Sequence, residues 1–306
     1  MERQDFCFHF PYRDSGTSLT PFVALQLVPV YFNGWRYLFY IGGIIALIAV
    51  ILRFELPESP RWLVLKAGNL EKAKKVLEMM ERTAEKRIGK LPDPKPDSIK
   101  LVEYENKFPT LYLFKKPYST RLLLLVAMWF FWYIGNYGFL GDAATLLSTA
   151  GIAISSSITY LAIGAIGYPV GAIIMIFTAD KIERKYVIFL DTVVWFVGLI
   201  LFGLKTVPGI LAGAFLASLA LGMYLQVAYT YTVENYPTRA RASGFALTDG
   251  IGHVGGALGA ILLPILVATY SFQFGFSFIA VTGLIAGIIA LAGPKASRMY
   301  LENVSP

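Results

Sequence analysis

The chain has 306 residues, of which 56% are hydrophobic and 15% are charged, and its formal net charge is +7. Its mean hydropathy is +0.58. A soluble domain carries about 25% charged residues, whereas apolar residues here run for about 20 positions at a time, which is the length that crosses a bilayer. The composition excludes an ordinary soluble domain and predicts an all-α, multi-pass membrane bundle. Cys7 is the single cysteine, so an intramolecular disulfide is excluded.

The N-terminal segment lacks the features of a signal peptide. Residues 1–19 carry several charges and no apolar core of the kind a signal peptide needs, and they stay unassigned. The apolar run Pro21–Phe32 follows. It is too short to cross a membrane at about 1.5 Å per helical residue. We therefore expect it to be the tail of a helix whose beginning is not encoded here.

Seven further apolar runs are long enough to be full transmembrane helices. They are predicted at Trp35–Leu56, Leu122–Leu140, Ile158–Thr178, Tyr186–Leu204, Ile210–Val233, Ala246–Tyr270 and Phe274–Ala292. Glycine pairs at Gly167 and Gly171, and at four positions between 252 and 259, predict close helix packing, and Pro169 predicts a kink within the first pair.

The basic residues predict the orientation. Sixteen lysines and arginines lie between Arg53 and Arg121, and later basic residues recur after every second span, whereas the alternate loops contain only Lys205. This distribution follows the positive-inside rule. It places the long loop and the C-terminus in the cytoplasm of a cell-membrane protein, and it argues against a nucleic-acid partner.

The long loop contains one predicted helix. From Leu70 to Ala84, apolar residues recur at three- and four-residue spacing between lysines and glutamates, which indicates an amphipathic helix. Asn69 is its predicted N-cap, and the proline-rich stretch Leu91–Asp97 ends it. We expect it to lie against the cytoplasmic ends of the bundle.

Short motifs stand at the ends of the spans. They are Gly34–Arg36, Leu56–Leu63, Asp180–Lys185 and Glu234–Gly244. Leu56–Leu63 resembles the central-loop signature of the sugar-porter-like branch of the major facilitator superfamily, and Glu234–Gly244 resembles that family's junction between the tenth and eleventh helices. Asp180–Lys185 resembles the superfamily's loop signature imperfectly, because Glu183 stands where the family prefers glycine. The resemblance covers residues 21–292.

The resemblance implies a partial major facilitator fold, with about seven full transmembrane helices and one partial helix. In the family, the central-loop signature closes the sixth of twelve helices, so an N-terminal half is implied as a missing partner. The implied domains are an unassigned segment (1–19), a remnant of the N-terminal half (20–56), a cytoplasmic loop (57–119), a C-terminal six-helix half (120–294) and a cytoplasmic tail (295–306).

The same resemblance implies a gate at the cytoplasmic ends of the helices, where acid–arginine pairs hold it closed. The residues implied in it are Glu58, Arg61, Asp180, Arg184, Glu234, Arg239 and Arg241. We expect Glu234 to pair with Arg184, and Asp180 with Arg241. The alternative is that these residues only anchor helix ends at the membrane interface.

A binding site is expected near mid-membrane, where polar residues are costly and so are candidates for function. The stretch around Asn136 resembles the family's polar and aromatic seventh helix, but it lacks the paired glutamines of true sugar porters. The substrate-binding candidates are Asn136, Tyr133, Tyr137, Tyr224 and Gln226. Aromatic side chains suit sugars, aromatic acids or cations; the alternative for the tyrosines is interfacial anchoring, most of all for Tyr231.

Asp249 and His253 are the candidates for proton coupling. They are four residues apart and therefore share one helix face, and an acid beside a histidine can titrate near neutral pH. The alternative is that Asp249 caps its helix or pairs with Arg241. Asp191 comes early in its own span, which suggests a position near the interface.

The prediction is a secondary carrier for a sugar or small organic metabolite, with protons as the candidate coupling ion. The alternative is a truncated carrier fragment without transport activity, or a membrane interaction partner. The two histidines and one cysteine offer no catalytic or metal-binding set, so neither an enzyme nor a cofactor is expected. The expected partners are the lipid bilayer and a small-molecule substrate.

Overall fold

The computed structural model describes residues 16, 18–54, 56–65, 68–91, 110–178, 181–237 and 240–296. All the regular elements among these residues are helices. The chain forms two compact units, of which one comprises the described residues between 36 and 105 and the other comprises the rest. Seven of the described helical segments are long and apolar enough to cross a membrane. The predicted all-α, multi-pass class is confirmed.

The described residues of the smaller unit form three helices, α2 (Gly34–Arg53), α3 (Pro60–Leu65) and α4 (Leu70–Ile88). None of the residues in the apolar, membrane-spanning stretch of α2 is buried. A helix that is apolar all round and exposed all round is suited to lipid or to another helix rather than to water.

The predicted N-cap of α4 is confirmed in this unit. Pro60 occupies the first turn of α3, where its missing N–H costs nothing. Asn69 caps α4 by accepting a hydrogen bond from the backbone N–H of Lys72 at 3.0 Å. Ala73 is buried, but Leu77 is 48% exposed, so much of the predicted apolar face of α4 is uncovered.

The larger unit contains the bundle. Its helices are α1 (Ser18–Leu27), α5 (Tyr118–Thr149), α6 (Ile154–Gly164), α7 (Gly167–Thr178), α8 (Arg184–Gly203), α9 (Val207–Glu234), α10 (Arg241–Thr269) and α11 (Phe272–Leu291). Helix α5 packs against α10 and α11, α8 packs against α9 and α11, and α7 packs against α9. Helices α6 and α7 together form one span.

Two predicted spans differ from the structure. Helix α5 runs to Thr149 rather than Leu140, because Ala143 and Leu147 beyond the polar Asp142 still pack into the core. The span predicted as continuous to Thr178 breaks between α6 and α7. Pro169 lacks the N–H that would bond the Ala165 carbonyl.

The backbone carbonyl group that loses its helical hydrogen bond at this break accepts other hydrogen bonds. The Ala165 carbonyl oxygen accepts hydrogen bonds from the Tyr168 N–H at 3.1 Å and from the Ser18 hydroxyl at 2.9 Å. The short helix α1 is therefore fastened to the bundle at the break.

Glycines bring the helix backbones together, as predicted. A Cβ at Gly255 or Gly259 of α10 would overlap the carbonyl oxygen of Phe130 or Ile134 on α5. Such close approach is how helices pack in lipid, where a hydrophobic drive between them is missing. The α5–α10 contact positions the candidate site described next.

Candidate functional site

Helices α5 and α10 bring four predicted residues together. We call Tyr133, Tyr137, Asp249 and His253 the acid–tyrosine cluster. The Tyr133 hydroxyl donates a hydrogen bond to Asp249 Oδ1 at 2.7 Å. The His253 Nδ1 atom lies 2.7 Å from the Asp249 backbone oxygen and 3.6 Å from Asp249 Oδ2. The predicted shared face of Asp249 and His253 is confirmed.

Aromatic rings surround the acid. The Tyr133 ring centroid lies 4.3 Å from that of His253 and 5.1 Å from that of Trp129. Trp129 in turn stacks on Tyr229 at 4.9 Å, and Tyr137 contacts His253 at 5.6 Å. The cluster therefore offers ring faces beside one carboxyl group and one imidazole.

The cluster is open on one side. The side chains of His253 and Asp249 are 42% and 24% exposed, and Tyr137 is 40% exposed, whereas Tyr133 is 3% exposed. A ligand can therefore reach the His253 ring and Tyr137, whereas Tyr133 contacts the Asp249 carboxyl group from the buried side.

The other three predicted binding residues lie in the interior of the bundle. Tyr224 is fully buried and stacks on Trp132, with ring centroids 3.5 Å apart and planes 10° from parallel. Gln226 is buried and donates to the Gly222 carbonyl of its own helix at 2.9 Å. Asn136 is 5% exposed. The structure therefore does not bring these three to the open side of the acid–tyrosine cluster.

Sequence reasoning did not single out Trp129 and Tyr229. The Trp129 indole N–H donates to the Thr232 hydroxyl of α9 at 2.8 Å, which fixes the ring that backs the cluster. The available signal was spacing, since Trp129 precedes Tyr133 by one helical turn. Tyr229 had no such signal, because its neighbours come from another helix.

A buried ion pair joins α8 to α9 at the end where α8 begins, called here the Arg184 end. Arg184 Nη2 donates to Glu234 Oε1 at 2.9 Å, and Arg184 Nε lies 2.8 Å from Glu234 Oε2. Their side chains are only 6% and 11% exposed. The predicted pairing is confirmed, with one hydrogen bond and a second close contact between the two side chains.

The remaining gate candidates have different outcomes. Arg241 donates from Nε to the Val233 carbonyl at 2.9 Å, which joins α10 to the end of α9. Glu58 is exposed in the smaller unit. Asp180, Arg239 and the side chain of Arg61 lie outside the described residues, so the predicted Asp180–Arg241 pair stays a prediction.

Further hydrogen bonds close the Arg184 end. Lys185 Nζ donates to the Gly293 carbonyl and the Tyr231 hydroxyl donates to the Pro294 carbonyl, both at 2.9 Å. Tyr231 is fully buried, so it ties down the segment after α11 rather than anchoring at a lipid interface. Tyr236 lies 2.6 Å from the Thr248 hydroxyl, and burial raises the pKa of Tyr236 to about 12.

The fold defines a multi-pass membrane protein of the major facilitator class. The structure of the major facilitator proton:xylose symporter XylE, bound to 6-bromo-6-deoxy-D-glucose, matches with a TM-score of 0.70 at 19% identity, covering 98% of this chain and 66% of that chain. Residues 16–305 match the family model described as "Sugar (and other) transporter". The chain belongs to this family, which is one of transporters rather than enzymes.

Curated relatives are similar over most of the chain. The metabolite transport protein YyaJ of Bacillus subtilis is 26% identical over 94% of this chain and 63% of its own length. The niacin transporter NiaP of Acinetobacter baylyi is 26% identical over 94% and 65%, and the 4-hydroxybenzoate transporter PcaK of Pseudomonas aeruginosa is 28% identical over 80% and 54%. The chain thus spans less than two thirds of the length of each relative.

Proposed function

We propose that this chain acts in a secondary carrier that moves a sugar or another small organic metabolite across the membrane, and that the acid–tyrosine cluster binds the substrate. The observation that carries the proposal is the hydrogen bond between Tyr133 of α5 and Asp249 of α10, beside the partly exposed side of the cluster. Polar groups inside membrane-spanning helices are energetically costly, so each of them is a candidate for a functional role.

The cluster suits a substrate with one flat face and a few polar groups. The rings of Tyr137 and His253 supply apolar contact area, and the imidazole and carboxyl groups supply hydrogen bonds. Sugars and aromatic rings both pack on such faces. The names of relatives support the same range, since they include carriers of niacin and 4-hydroxybenzoate and a xylose symporter of the same fold.

Proton coupling is the second element of the proposal. A proton on Asp249 removes the negative charge that the Tyr133 hydroxyl and the His253 ring face. Protonation therefore changes which hydrogen bonds the cluster offers to a substrate. The name of the structural neighbour, a proton symporter, supports this mechanism.

The Arg184 end is proposed as the cytoplasmic gate. The positive-inside distribution of basic residues supports this orientation, and the buried pair between Arg184 and Glu234 supports a latch between α8 and α9. We further propose that residues 120–294 form one six-helix half of the carrier. An N-terminal half would then cover the open side of the acid–tyrosine cluster, as two halves meet at a central site in such carriers.

Uptake into proteoliposomes that contain only this chain tests the proposal. The panel is D-xylose, nicotinate and 4-hydroxybenzoate, each with and without an inward proton gradient. We expect uptake of at least one of the three, faster with the gradient, and we expect Asp249→Asn to lose the gradient effect. Asp142→Asn is the control, because Asp142 lies on the same helix as Tyr133, about 13 Å further along its axis.

The alternative function is a carrier fragment without transport of its own. That alternative would be favoured if the chain is folded and binds one of the three compounds, but takes up none of them into the proteoliposomes. Equal gradient effects in wild type and Asp249→Asn would instead remove Asp249 from the coupling mechanism.

A further inference from the structure

An unpaired carboxyl group lies inside the bundle, away from the acid–tyrosine cluster. Asp191 is seven residues into α8 and has no exposed surface. Both of its carboxyl oxygens are buried, and neither takes part in a hydrogen bond among the described residues. Its early place in the span suggested an interfacial position, but the packing of α8 removes it from water.

The walls around Asp191 are aromatic. One helical turn further, Trp195 is fully buried and its ring lies 5.1 Å from that of Trp132 on α5. Trp132 stacks on Tyr224 of α9, whose hydroxyl lies in the neighbourhood of Asp191. The Tyr224 hydroxyl and the Trp132 indole N–H are also buried without a hydrogen bond in the described structure.

No cation faces Asp191 from the described helices packed against α8. Helix α9 contributes Tyr224, α5 contributes the uncharged Trp132, and α11 (Phe272–Leu291) contains no titratable residue. On α8 itself, Arg184 lies about 10 Å away along the helix axis. Its guanidinium is engaged with Glu234 at 2.8 Å.

An ionised carboxylate in this position would be strongly unfavourable. Removing one charge from water is costly even in relaxed proteins, and a facing cation or a set of hydrogen bonds is needed to offset it. A neutral carboxylic acid avoids that cost. A metal cation would need several oxygen ligands, whereas Asp191 supplies one carboxyl group.

We propose that Asp191 is a proton-binding site in the interior of the bundle, occupied in this conformation. The step is the association of one proton with the carboxylate to give a carboxylic acid. Since no surface of Asp191 reaches solvent, the proton exchanges only when α8 moves relative to α9 and α5. The site is separate from Asp249 and His253, and it stands whether or not the acid–tyrosine cluster binds a substrate.

Infrared difference spectroscopy of the purified full chain in lipid nanodiscs at neutral pH tests the site. We expect the carbonyl stretch of a protonated carboxylic acid, shifted in heavy water, in the wild type and in the control Asp249→Asn. The band should be lost in Asp191→Asn and moved in frequency in Asp191→Glu, which keeps an acid at the position. The second variant preserves the test if Asp191→Asn fails to fold.

Thermal unfolding provides an independent readout. Asparagine resembles the neutral acid in shape and charge, so Asp191→Asn should leave the unfolding temperature at neutral pH unchanged or raise it. A wild-type spectrum without any acid band that depends on residue 191 would overturn the proposal. If Asp191→Asn folds, a clear fall in its unfolding temperature would also overturn the proposal, because it would reveal an ionised, stabilised carboxylate.

Discussion

Replacing Glu234 with glutamine should lower the free energy of unfolding by about 3 kcal/mol. The Arg184–Glu234 pair has one hydrogen bond of 2.9 Å and a second N–O contact of 2.8 Å, and its side chains are 6% and 11% exposed. Removing one partner of such a buried pair costs about 3–5 kcal/mol. The lower value applies because the glutamine oxygen can still accept the hydrogen bond from Arg184 Nη2. The ratio of folded to unfolded protein should fall by roughly two orders of magnitude.

Equilibrium unfolding in mixed micelles with increasing dodecyl sulfate, followed by circular dichroism, measures this loss. A double-mutant cycle with Arg184→Met isolates the pair. The double variant should lose about 2 kcal/mol less than the sum of the single variants, because it no longer buries an uncompensated charge. Glu78→Gln, on the exposed surface of α4, is the control and should change stability by less than about 0.5 kcal/mol.

A loss below about 0.5 kcal/mol in Glu234→Gln, or additive losses in the cycle, would refute the reasoning. Either result would mean that the pair is not held together as a buried unit. The gate proposal would then have lost its structural basis.

Two other predictions test the packing and the orientation. Gly255→Ala should destabilise the bundle by about 1–3 kcal/mol, because its methyl group would overlap the Phe130 carbonyl. Gly250→Ala is the control and should not destabilise the bundle, because a Cβ at Gly250 meets nothing within 4 Å. Equal losses of stability in the two variants would refute the close α5–α10 contact. In a Cys7→Ser background, an impermeant maleimide added to intact cells should label Lys205→Cys and leave Lys181→Cys unlabelled until the cells are permeabilised. The reverse labelling pattern would refute the proposed orientation.

The sequence carried enough information to predict the spans, because lipid demands long apolar runs whatever their neighbours are. It also predicted the Arg184–Glu234 pair, since both residues stand in recognisable motifs at helix ends. The α6–α7 break was predicted only as a kink near Pro169, because the compensating hydrogen bond comes from Ser18, 147 residues away in the chain.

The interior of the bundle could not be predicted in the same way. A helix such as α9 is apolar on every side, so its periodicity does not tell which face is buried. Tyr224 was therefore expected at the binding site, whereas it stacks on Trp132 inside the bundle. The burial of Asp191 likewise depends on side chains from other helices.

Ligand binding to the acid–tyrosine cluster is the most direct test of the central claim. Tryptophan fluorescence of the purified chain should report binding, because the Trp129 and Tyr133 ring centroids are 5.1 Å apart. Titration with D-xylose, nicotinate and 4-hydroxybenzoate should give saturable quenching by at least one compound. Tyr133→Phe should weaken that binding about tenfold, because Asp249 loses the hydrogen bond that positions its carboxyl group, while Tyr270→Phe, an exposed tyrosine at the far end of α10, should leave it unchanged. Equal affinities in the wild type and Tyr133→Phe would contradict the account.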